Sequence, residues 1–197
     1  MKFIRSLYDW VLKWSKTPYA GHALFFLALL EASFFPIPPD VLLIAMSISL
    51  PERALFFAAL ASCGSVLGGA LGYLIGLLLW SALADLFFNY VPGFTPELFT
   101  KVQGYFDQYD FLVIFAAGFS PIPYKVFTIG AGVFDIGFLT FMLASVISRS
   151  ARFFLEAWLL KRYGIPMQRF IDRYFNWLAI GFTVLLFGGF VLIKMMN

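Results

Sequence analysis

Apolar residues run through this chain in blocks separated by short polar or proline-rich interruptions, and the lengths of the blocks predict its elements. At the N-terminus, Phe3, Leu7, Trp10, Val11 and Trp14 recur at helical spacing between Lys2, Arg5, Lys13 and Lys16, which predicts an interfacial amphipathic helix over 2–17. The next block, 20–50, is apolar and helical at both ends but is cut by Pro36, Pro38 and Pro39. No continuous helix survives that density of proline, so the block reads as two half-helices around a break, a re-entrant hairpin. Residues 54–80 are long enough to cross the hydrocarbon layer, which takes about 20 apolar residues. Residues 81–110 form the most polar stretch, carrying Asp85, Glu97, Asp107 and Asp110 against Lys101, and predict a connection outside the hydrocarbon. A second interrupted block, 111–135, breaks at Pro121 and Pro123. Spans at 137–160 and 175–194 follow, joined by a basic connector over 161–173.

Composition makes the membrane reading firm, because 61% of the residues are hydrophobic, 20% aromatic and 13% charged, leaving too little polar surface for a water-soluble globule. The expected fold is therefore all-α and integral to a membrane, one domain over 1–197. The N-terminal segment lacks the pattern of a cleaved signal peptide and is read as mature. A net charge of +3 matters through its distribution: the N-terminal segment and the connector hold four Lys or Arg each, the central polar stretch one. Basic flanks favour the cytoplasm, which sets the N-terminus there and requires both interrupted blocks to re-enter without crossing. Nothing points to nucleic acid, and one cysteine, Cys63, excludes an intrachain disulfide and reads as a small packing residue.

Pro36-Ile37-Pro38-Pro39-Asp40-Val41 aligns with Pro121-Ile122-Pro123-Tyr124-Lys125-Val126, an internal repeat whose two hairpins would enter from opposite faces. Broken helices at matching positions of two inverted halves point to a binding site near the midplane. Between the hairpins, Gly64, Gly68, Gly72 and Gly76 place a glycine at every fourth position of one span, a smooth stripe open to close helix packing within the chain or in a homodimer.

Charges inside the apolar blocks carry the candidate chemistry, since each costs about 2.5–3.5 kcal/mol if left unpaired in hydrocarbon. Arg149, Arg152 and Glu156 share one helix face with Ser145 and Ser148. Two guanidinium groups there suit an anionic headgroup, with Glu156 as a supporting ion-pair partner of Arg152; an Arg152 to Glu156 lock between helices is the purely structural alternative. Lys125 is a further headgroup partner or an interfacial anchor. Glu31 is the candidate proton carrier, since burial of a carboxyl favours its neutral form, and Asp40 is either a second such group or the cap of the half-helix that follows it. His22 reads as interfacial packing. No metal or cofactor is expected.

Together, Glu-Ala-Ser-Phe-Phe-Pro-Ile-Pro-Pro-Asp over 31–40, the glycine helix with Gly72-Tyr73, and the 118–132 segment with Pro-Ile-Pro-Tyr-Lys resemble the DedA family, also called the VTT or SNARE-associated Golgi protein family, in its short YqaA-like branch. The resemblance implies a bacterial inner-membrane protein that moves phospholipid or polyprenyl-phosphate headgroups, either coupled to protons or passively. It carries the family's early membrane glutamate to Glu31 and its aspartate to Asp40. Of the two arginines usual in the second hairpin, the later falls on Lys125 and the earlier on Phe119, a departure that leaves Arg149 or Arg152 to supply the charge. A lipid flippase or scramblase is thus the leading expectation. A small-cation/proton antiporter on Glu31 and Asp40 and a structural assembly protein are the rivals. A membrane-embedded lipid phosphatase lacks a nucleophile and base in reach, since His22 lies on another element than the arginines, so the chain is not expected to be an enzyme.

Overall fold

The computed structural model describes residues 19–34, 38–90, 95–120, 123–164 and 166. Pro36, Pro121, the interfacial helix expected over 2–17 and the span expected over 175–194 lie outside them, as does most of the 161–173 connector.

Helices α1 (Ala20–Ser33) and α2 (Asp40–Ser49) flank the first break, and a 3-10 turn (Pro51–Arg53) leads into α3 (Ala54–Tyr90). Helices α4 (Pro96–Phe119) and α5 (Tyr124–Val133) flank the second break, and α6 (Phe138–Tyr163) follows. Among the described residues every regular element is helical.

The helices that follow the two breaks share one feature. A proline occupies the N-cap of the helix that follows each one, Pro39 before α2 and Pro123 before α5. There the fixed φ and the missing N–H cost nothing, because a helix start has unbonded amides anyway. The carbonyls freed where α1 ends find donors: the Phe34 amide bonds Leu30, the Ser33 hydroxyl reaches Leu29 and Leu30, and Thr128 of α5 donates to Ala32 at 2.9 Å. Helix α4 is kinked at Tyr109, where φ is −133° and ψ 23°, so its apolar half begins two residues before the expected Phe111. A span was expected to end at Leu79 or Trp80, yet α3 continues to Tyr90. Residues 81–90 contain no proline or glycine, so nothing stops the helix before Pro92-Gly93.

Helix α3 is the axis of the assembly, packing against α1, α5 and α6. Its glycine stripe divides its contacts between the two repeats. A methyl group on Gly68 would overlap the Leu29 carbonyl of α1, and one on Gly76 would overlap the Ile129 carbonyl of α5. Gly64 likewise faces Phe25 and Gly72 faces Thr128, so these four glycines are packed within the chain. Tyr73, beside Gly72, donates its hydroxyl to the Ile136 carbonyl at 2.6 Å and ties α3 to the turn after α5.

Two apolar clusters result, one around Leu24, Leu43, Phe57 and Phe153, the other around Tyr73, Ile114, Tyr124 and Phe141. Helix α6 contributes to both, and its charged stretch lies between those contributions. The outward positions of the same helix are Leu139, Leu143, Val146, Ile147, Phe154, Leu155 and Trp158, all exposed, while Ser145, Ser148, Arg149 and Glu156 are buried. Polar inside and apolar outside is the reverse of a water-soluble fold. Among the described residues, Pro51–Ala82 and Phe138–Tyr163 are long and apolar enough to cross a membrane. Cys63, expected to pack, is instead exposed on α3.

Candidate functional site

Arg149 and Arg152 are one turn apart on α6, so their side chains rise from the same face towards the two breaks. The Arg149 Nη2 donates to Glu31 Oε2 at 3.0 Å and its Nε to Ser65 Oγ of α3 at 2.6 Å. Its guanidinium carbon lies 4.9 Å from the Tyr124 ring centre and 4.7 Å from that of Phe153, so aromatic faces cover what the carboxylate does not. The Arg152 Nη2 donates to Asp40 Oδ1 at 2.6 Å, and its Nη1 donates to the Ser120 carbonyl at 3.3 Å. Arg152 therefore bridges the start of α2, after the first break, to the end of α4, before the second.

The arginines are more deeply buried than their partners. Side-chain exposure is 2% for Arg149 against 15% for Glu31, and 10% for Arg152 against 20% for Asp40. Buried charge-assisted hydrogen bonds of this kind are strong, and removing one member leaves the other stranded.

The geometry revises two expectations and places a third residue. Asp40 opens α2 but makes no capping bond; its carboxylate turns to Arg152. Glu156, expected to pair with Arg152, is in no ion pair among the described residues: both its carboxyl oxygens are buried with no hydrogen-bond partner there, and Arg152 is directed to Asp40. Lys125 stands half-buried in the first turn of α5, close enough to bear electrostatically on Glu31, with no ion pair to a carboxylate among the described residues. Phe119, where the resemblance leads to an expected arginine, stacks its ring on Phe115, and Arg152 reaches the carbonyl of the neighbouring Ser120.

Sequence reasoning missed Ser65, Tyr124 and Thr128. Tyr124 sits inside the repeat motif, where its hydroxyl is paired with Ser145. Thr128 follows one turn later, so a polar residue at that spacing was the available signal. Ser65 carried none, being one small residue among many on the glycine helix. A separate cavity of about 370 Å³ lies at the other end of α1, lined by Ala20, His22, Ser49, Arg53 and Phe57, and touches neither arginine. His22 is exposed at its edge.

Residues 35–162 match the VTT domain. An uncharacterized protein of Haemophilus influenzae is 40% identical over 176 residues, covering 87% of this chain and 90% of that protein. A second uncharacterized protein, from Histophilus somni, is 38% identical over 193 residues, covering 95% and 98%. No solved structure matches the chain. The matched region runs from the first break to the end of α6 and holds both arginines, and with near full-length relatives at this identity the chain belongs to the VTT domain, or DedA, family of membrane proteins.

Proposed function

We propose that this protein carries anionic lipid headgroups, of phospholipid or polyprenyl phosphate, across a bilayer, with Arg149 and Arg152 as the receiving groups. The observation that carries the reading is the pair of inward guanidinium groups held by acids on either side of the first break and by a carbonyl of the second. A phosphate oxyanion offers the same planar set of acceptors to a guanidinium as a carboxylate does, so a headgroup can take the place of Glu31 or Asp40. Protonation of either acid releases its arginine for that exchange, which is how a proton gradient would drive it. Arg152 stands in for the family arginine absent at Phe119.

Helix lengths support the membrane arrangement. At 1.5 Å per residue, the 14 residues of α1 and the 10 of α2 reach roughly 21 Å and 15 Å, each short of the ~30 Å hydrocarbon core. In this reading both interrupted blocks are re-entrant hairpins in an inverted repeat, α3 and α6 cross, the basic flanks put the N-terminus in the cytoplasm of a bacterial inner membrane, and one hairpin rocks against the other. A cation antiporter has less support, because Glu31 and Asp40 are each already neutralised by a guanidinium.

Binding of a fluorescent short-chain phosphatidic acid to the purified protein tests the reading. Arg152→Gln and Arg149→Gln should each weaken binding at least tenfold, while a zwitterionic analogue binds weakly to all forms. Equal binding of both lipids, unchanged in either variant, would leave the ion pairs a structural role.

A further inference from the structure

We infer that Glu156 is a proton-binding site, carrying a proton while Arg152 is latched to Asp40 and taking Arg152 for itself when that proton leaves. The inference rests on the ion-pair geometry and holds whatever the transported molecule is. Three carboxyls and two guanidinium groups meet around α6. Arg149 is taken by Glu31 and Arg152 by Asp40, so both positive charges are matched before Glu156 is counted. Glu156 is 6% exposed and, among the described residues, neither of its oxygens has a hydrogen-bond partner. A buried carboxylate left bare in this way is among the least favourable arrangements in a protein interior.

A proton removes the conflict. The charged groups acting on Glu156 are Asp40 from α2 and, on its own helix, Arg152 and Arg149. Asp40 comes within side-chain hydrogen-bonding reach of it. Two ionised carboxylates have no donor between them, so no bond forms; a neutral Glu156 supplies the donor, and Asp40 keeps Arg152. Of the other packed elements, the 3-10 turn presents Glu52 and Arg53, both exposed, and Lys125 of α5 acts on Glu31.

Loss of the proton has a defined consequence. Glu156 is four residues after Arg152 on one helix face, the spacing at which such a pair closes. An ionised Glu156 therefore competes with Asp40 for the same guanidinium. Arg152 turning along its own helix would release the start of α2 from α6. The latch is shut while Glu156 is protonated and Asp40 ionised, and rising pH opens it by removing the Glu156 proton.

Infrared difference spectroscopy reads this directly on the full chain in a detergent without ester groups, with the glutamate carboxyls carbon-13 labelled. The chain has four glutamates, and Glu52 and Glu97 are exposed. We expect, at neutral pH, a protonated-carboxyl carbonyl band that shifts with the label and with deuterium, persists in Glu31→Gln, is absent in Glu156→Gln, and fades as pH rises. The Glu31→Gln arm assigns the band even where Glu156→Gln does not fold. A band lost in Glu31→Gln, or no glutamate band at neutral pH, overturns the proposal. Spin labels at Leu50 and Leu155, in a Cys63→Ser background, should move apart as pH rises; a separation indifferent to pH overturns the latch.

Discussion

The two breaks share a proline at the start of the helix that follows and differ in charge. Each places a proline at the cap of the following helix and leaves the preceding helix to end inside the packed chain. The first is bounded by Glu31 and Asp40, both ionisable and both spent on α6. The second offers Ser120 through its carbonyl, Tyr124 through its ring, and Lys125. The repeat keeps a proline-capped helix after each break, while the chemistry is distributed asymmetrically: acids at one break, a carbonyl, an aromatic ring and Lys125 at the other, and the two arginines on a third element that reaches both.

That contrast can be broken at four depths. The deepest is Arg149→Leu, which takes from buried Glu31 its hydrogen-bonded guanidinium; it should cost about 3–5 kcal/mol, seen as a large drop in thermal unfolding temperature in detergent, and Glu31→Leu in the same chain should restore much of it. Next come the glycine contacts. Gly68→Val presses on the α1 backbone and Gly76→Val on that of α5, so each should cost at least the ~1–3 kcal/mol of ordinary overpacking, and similar losses from both would show that α3 supports the two repeats equally. Thr128→Val keeps shape but leaves the Ala32 carbonyl without its donor, a loss of about 1–3 kcal/mol that links the second repeat to the end of α1. The smallest is Lys125→Gln, which should leave unfolding within about 0.5 kcal/mol while lowering affinity for an anionic lipid, a split between stability and binding that the first break's acids would not give.

What the sequence made legible was local. Proline density located both breaks, glycine spacing marked the face of α3 that meets α1 and α5, and the i, i+3 spacing of Arg149 and Arg152 placed both on one inward face. Each of these follows from backbone geometry within a few residues. Partner choice was not legible, because Arg152 had a carboxylate four residues away in Glu156 and another 112 positions away in Asp40, and only the packing of α2 against α6 decides between them. The neutral members, Ser65 and Tyr124, escaped because a hydroxyl in an apolar run raises no charge penalty to draw attention. The extra length of α3 escaped because polar composition was taken to end a helix that no proline or glycine interrupts before residue 92.

Headgroup translocation in vesicles tests the central claim most directly. With purified protein in proteoliposomes, fluorescent phospholipid and a labelled polyprenyl phosphate should move between leaflets faster than in protein-free vesicles. An imposed pH gradient should change the rate, and Arg152→Gln should abolish it in protein that remains folded. Movement no faster than in protein-free vesicles, for every lipid and with or without the gradient, would contradict the account and make the buried ion pairs a device for holding the helices together.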